Sequence, residues 1–141
     1  MIPWPATMPI AIHFAAAIMA VLATLHLVYT LHDLLIRPRY FRPMDRSLLE
    51  PMQATTTALA PQGHNYWRAL LGFHLSHSIG ILLFAGVIEL AMDPHLAWLR
   101  PALIALGGVY AIIGWTCWFW IPATGATMAT GMLIIGWWIM P

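Results

Sequence analysis

Apolar residues in this chain do not recur at the spacing of a half-buried helix; they run on without polar relief. Four such stretches stand out, 9–31, 69–92, 102–120 and 123–140, each of 18 to 24 residues. A helix needs ~20 apolar residues to cross a hydrocarbon core. Three of the stretches lack any acid or arginine, and the exception, Glu89, sits near the outer end of the second. The pattern predicts an all-α integral membrane protein with four transmembrane helices, forming one domain over 1–141.

The polar breaks between these runs have their own grammar. Within 32–68, Met44, Leu48, Leu49 and Met52 recur at helical spacing after Pro43, with Asp45, Arg46 and Glu50 on other faces. That predicts a short amphipathic helix on the membrane surface, broken or kinked by Pro51. "ATTTALAPQGHN" then reads as turn-rich. Asp93-Pro94 has the form of a helix cap with proline in the first turn. "IPATG" leaves almost no loop between the third and fourth stretches, which makes those two spans antiparallel neighbours.

Composition excludes a soluble domain: 61% of residues are hydrophobic and 8% charged, against about 25% charged in soluble domains. Mean hydropathy is +0.77. The net charge of +1 gives no footprint for nucleic acid. Cys117, the lone cysteine, has no partner for an internal disulfide. No basic segment precedes the first stretch, so it is expected to be a retained span rather than a cleaved signal.

Charge also orients the chain. Arg37, Arg39, Arg42, Arg46 and Arg68 lie in or beside 32–68, and Arg100 alone lies on the other side. Arginine-rich short loops face the cytoplasm, which puts both termini outside it. Trp67, Trp118 and Trp120 then fall at the inner boundary, and Trp4, Trp98, Trp137 and Trp138 at the outer one, where indoles concentrate. Trp115 lies a turn deeper. The expected location is a bacterial inner membrane; the exclusive use of arginine, with much Ala, Pro, Gly and Trp, hints at a GC-rich bacterial genome.

Polar groups inside the spans are the candidate chemistry. His26 and His74 lie at about the same depth from the inner boundary, which allows an inner-leaflet cluster of His26, His74, His77 and Ser78, and His26 shares a helix face with Tyr29, Thr30 and Asp33. Near the outer boundary His13 and Glu89 are at similar depth and suited to pair. Burying ionisable groups in lipid is costly, which makes them functional candidates; the alternative is that they only hydrogen-bond helix to helix. Small residues four apart form three ribbons suited to close helix packing: Gly72, Ser76 and Gly80; Ala16, Ala20 and Thr24; Gly107 and Ala111. The arginine-rich loop reads as a topology signal in contact with lipid headgroups.

The stretch "YWRALLGFHLSHSIGILLFAG", together with "HLVYT" at 26–30, resembles a family of small four-span bacterial membrane proteins of uncharacterised function. The matching positions are Trp67, Gly72, Phe73, Ser76, His77, Ser78 and Gly80, with His26 to Thr30 in the first span. The family pattern tends to have Asn where this chain has His74. The resemblance covers about half the chain; it implies the four-span layout and supplies no activity.

Three functions compete. The first is a non-catalytic accessory or structural subunit of a larger bacterial membrane complex, of electron-transport or photosynthetic type, meeting other membrane subunits through its small-residue ribbons. The second is a pigment carrier, with His26 and His77 or His74 as ligands to a haem or chlorophyll-type tetrapyrrole. The third is a small-molecule enzyme or transporter using His77 or Glu89 to move a proton. No nucleotide, phosphate or cysteine-based metal motif is present to favour an enzyme.

Overall fold

The computed structural model describes residues 7–139 and is mostly helical. Three helices are long and apolar enough to cross a membrane, over Ile10–Leu35, Tyr66–Leu90 and Pro94–Cys117. In full, α1 spans Thr7–Leu35, α2 Leu49–Ala54, α3 Tyr66–Leu90, α4 Arg100–Cys117 and α5 Trp120–Ile134. Trp4, assigned to the outer boundary from the sequence, lies outside the described residues.

The fourth expected span, 123–140, takes a different form. Helix α5 starts earlier, at Trp120, and its α-helical part is 15 residues long, or about 22 Å at 1.5 Å per residue. It continues as a π-helical turn over Ile135–Ile139. Length alone therefore does not qualify α5 as a span, since the hydrocarbon core is about 30 Å thick.

The connection between α1 and α3 is also more structured than its composition suggested. A 3-10 turn over Arg46–Leu48 is capped by Asp45, whose carboxylate accepts from Ser47 N at 2.9 Å and Ser47 Oγ at 2.7 Å. These bonds hold the Asp45 carboxyl below its usual pKa range. Helix α2 follows directly and runs through Pro51. The expected break is absent because Pro51 is the third residue of α2, where a backbone N–H would have no intrahelical acceptor. The segment read as turn-rich contains a small antiparallel hairpin, β1 (Thr56–Thr57) with β2 (Ala60–Asn65). β-branched threonines favour the pleat, and the short strands hid it among turn residues.

The hairpin sets the start of α3. Tyr66 N donates to Thr55 O at 2.8 Å, and Asn65 Oδ1 accepts from Arg68 N at 2.9 Å as the helix cap. Trp67 is buried in the first turn and Leu71 in the next.

The chain divides into two compact units. Residues 23–80 form the first. It holds the second half of α1, the connection and the first half of α3, with Thr30, Asp33, Trp67, Leu71 and Ser78 buried. The second unit comprises the chain up to residue 22 together with 81 onward. Here α4 and α5 pack antiparallel across a two-residue link, Trp118 and Phe119. A Cβ added at Gly107 would stand 2.7 Å from Thr130 Oγ1, and one at Gly114 would stand 2.8 Å from Ala123 Cα. Ala123, Ala126, Ala129 and Leu133 form the buried stripe of α5. Trp115 Nε1 donates across the pair to Thr127 Oγ1 at 3.1 Å. Helix α5 also meets α1, where a Cβ at Gly125 would stand 2.6 Å from Leu22 Cδ1. At the start of α4, Arg100 donates to Ala91 O at 3.1 Å and lies 5.8 Å from the Trp137 ring centroid, within cation–π range.

Candidate functional site

The site lies within the 23–80 unit and is built from one carboxylate outward. Asp33 occupies the last turn of α1, where the helix dipole disfavours negative charge. Its side chain is fully buried but abundantly bonded. Oδ1 accepts from Arg39 N at 3.0 Å, Oδ2 from Phe41 N at 2.8 Å, and both oxygens from Tyr40 N at 3.1 and 2.9 Å. His32 Nδ1 stands 3.2 Å from Oδ1. The carboxylate therefore gathers three consecutive backbone donors and folds the arginine-rich loop back against its own helix.

That fold-back places two rings. Tyr40 stacks on Tyr29, ring centroids 4.3 Å apart and planes at 23°, and meets His32 edge-on at 5.1 Å. Phe41 stacks on His74 at 4.3 Å and 25°, and lies 5.0 Å from the His26 ring. The sequence placed Asp33 on the His26 face without seeing this role. The available signal was an acid at a helix C-terminus, which needs N–H donors from beyond the helix.

Of the four polar residues expected together at the inner boundary, His26 and His74 make the closest contact. His26 Nε2 and His74 Nδ1 are 3.0 Å apart, a hydrogen bond with one ring donating and the other accepting. Only one proton fits between them, so the two rings cannot both be imidazolium in this arrangement. The His77 ring lies edge-on to His26 at a centroid distance of 5.9 Å and parallel to Phe73 at 6.2 Å. Ser78 is buried, and its hydroxyl donates to His74 O of its own helix at 2.8 Å. Thr30 does the same to His26 O, also at 2.8 Å. Each hydroxyl thus satisfies itself on the turn carrying the paired histidine, a local bond known to bend helices.

Two histidines on opposite sides of a haem iron have nitrogens roughly 4 Å apart, twice a metal–nitrogen bond of about 2 Å. The 3.0 Å spacing here is that of a hydrogen bond, and Phe41 already covers one face of His74. Among the described residues no group of three or more His, Cys, Asp or Glu is arranged to hold a metal ion. In the other unit His13 Nδ1 and Glu89 Oε2 stand 2.8 Å apart, with both side chains substantially exposed.

The small-residue ribbons divide by where they are used. Gly107 of the α4 ribbon is buried against α5, Ala111 is half-buried, and Gly114 belongs to the same seam although its spacing was not singled out. On α1, Ala16 is buried, Ala20 half-buried and Thr24 exposed. The α3 ribbon is different. Gly72 and Ser76 are exposed, and a Cβ at Gly72 or Gly80 would meet nothing within 4 Å. Among the described residues nothing packs closely on Gly72 or Gly80, because α3 turns Trp67, Leu71 and Ser78 inward; Gly80 itself is half-buried.

No known family model matches the chain, and neither a curated protein nor a solved structure matches it.

Proposed function

We propose that this protein is a four-span membrane protein acting as a non-catalytic subunit of a larger membrane complex, which it joins through the outward face of α3. One contrast carries the proposal. Where this chain uses small residues to bring helices together, at Gly107 and Gly114, the approach is so close that no side-chain carbon fits. On α3 the ribbon of Gly72, Ser76 and Gly80 is of the same kind, but a Cβ at Gly72 or Gly80 meets nothing within 4 Å and Ser76 is exposed. Lipid tails give helices no hydrophobic reason to associate, so such seams are what drives close contact in a bilayer.

The polar residues fit the same role. The carboxylate of Asp33 and the hydroxyls of Thr30 and Ser78 bond the chain's own backbone, and His26 bonds His74. These are the bonds of a scaffold, holding helix to helix and loop to helix. The resemblance of the α3 stretch to small four-span membrane proteins supports the layout, with α5 and its π-helical turn as the fourth span. The arginines of 32–68 support a cytoplasmic loop with both termini outside.

The test is site-specific photocrosslinking in membranes of the native host. A crosslinker at position 76 is expected to give one discrete adduct with another polypeptide, and one at Ile112, an exposed residue of α4, none. Absence of an adduct at position 76 would contradict the proposal.

A further inference from the structure

Below the histidine pair, the 23–80 unit encloses an open cleft of about 240 Å³ between the end of α1, α2 and the start of α3. Arg37 reaches it from the chain leaving α1, and Arg68 from the first turn of α3. Gln53 and Asn65 also line it, as do Leu71 and the apolar residues at the end of α1. Asp33 also borders the cleft, but its carboxylate is already engaged by the N–H groups of Arg39, Tyr40 and Phe41.

We propose that this cleft binds a phosphate-bearing anion, with the phosphate held between Arg37 and Arg68. Arginines from two separate segments line this cleft, and the planar fork of arginine matches phosphate oxygens in pairs. The volume falls below the roughly 300–1,000 Å³ of sites for drug-sized ligands, so it suits a headgroup rather than a whole substrate. Arginines and apolar residues lining one cleft are the arrangement of a lipid site at the cytoplasmic boundary, where basic pockets between helices bind anionic headgroups. The source as a lipid rests on the membrane reading above; the phosphate chemistry is common to an anionic lipid and to free phosphate.

The experiment uses the full chain in mild detergent, with native mass spectrometry against added phosphatidylglycerol, phosphatidylcholine and inorganic phosphate. Phosphatidylglycerol is expected to bind at least tenfold more tightly than phosphatidylcholine. The Arg37→Gln/Arg68→Gln variant is expected to lose about tenfold in affinity, while Arg42→Gln/Arg46→Gln, which removes the same charge outside the cleft, changes it less than twofold. Competition by millimolar phosphate would assign free phosphate as a second ligand of the site; lack of competition with the arginine dependence intact would assign the lipid alone. Equal losses in the Arg42/Arg46 variant, or no loss in the Arg37/Arg68 variant, would overturn the proposal. Alkaline carbonate extraction of native membranes separates the two ideas. A chain stripped off by carbonate defeats the membrane reading, whereas a retained chain without arginine-dependent binding defeats only the cleft.

Discussion

His26 Nε2 lies 3.0 Å from His74 Nδ1, joining α1 to α3 by a single shared proton. Hydrogen bonds between membrane helices average about 0.6 kcal/mol and reach about 1.7 at most. A double-mutant cycle of His26→Ala and His74→Ala, followed by reversible unfolding in detergent, should give a coupling in that range. The same cycle on His26 and His77, whose rings meet edge-on at 5.9 Å, should give less. The reverse order would show that the rings are paired differently in solution.

Asp33 should matter more than either histidine. Hydrogen bonds to a charged group contribute about 1.5–3 kcal/mol each, and Asp33 accepts from three backbone donors. Asp33→Asn keeps one acceptor oxygen and turns an amide N–H₂ toward the remaining donors, so a loss of at least ~2 kcal/mol is expected. Hydrogen exchange checks the mechanism: the amides of Arg39, Tyr40 and Phe41 should exchange faster in the variant. Unchanged exchange at those positions would mean the loop is held by other contacts.

How much of this was legible beforehand depended on which coordinate each feature lives on. Helices α1, α3 and α4 were readable because uninterrupted apolar runs leave few alternatives. Depth was readable too, since a fixed rise per residue puts His26 level with His74 and His13 level with Glu89. Rotation about the helix axis was not. His74 and His77 are three residues apart on one face of α3, and only packing decides which one hydrogen-bonds His26. The sequence favoured His77; the hydrogen bond falls on His74, while the His77 ring meets His26 edge-on at 5.9 Å. The spacing of Gly72, Ser76 and Gly80 likewise told that they suit another helix but not whether that helix belongs to this chain; Gly72 and Ser76 are exposed and Gly80 half-buried. The buried alanines of α5 repeat every third residue from Ala123 to Ala129, a small-residue stripe that the sequence itself displays.

Glycine substitutions separate used seams from the uncovered one. Gly114→Ala would drive a methyl onto the backbone at Ala123 Cα, and Gly107→Ala onto the Thr130 hydroxyl. Overpacking of this kind costs about 1–3 kcal/mol. The Gly114 variant should be the worse, because a side chain can rotate away and a backbone cannot. Gly72→Ala, with open space around it, should leave the stability of the isolated chain unchanged. Thermal unfolding of the three variants gives the ranking, and a destabilised Gly72 variant would contradict the exposed placement of that face.

Topology is open to a direct chemical test. Leu59, at the tip of the β1–β2 hairpin, is almost fully exposed, so Leu59→Cys on a Cys117→Ala background offers an accessible thiol. With 32–68 in the cytoplasm, a membrane-impermeant maleimide should label it only after the cells are opened. Labelling in intact cells would invert the arrangement.

The most direct measurement is the mass of the protein as extracted from its native membrane in mild detergent, compared between the wild type and a Gly72→Leu/Ser76→Leu variant. The wild type is expected to carry a second polypeptide in fixed ratio. The variant, folded to the same stability, is expected to emerge as the 15.7 kDa chain alone. A wild-type protein that emerges alone, or a variant that keeps its partner, would contradict the assignment of this chain as a subunit docked through α3.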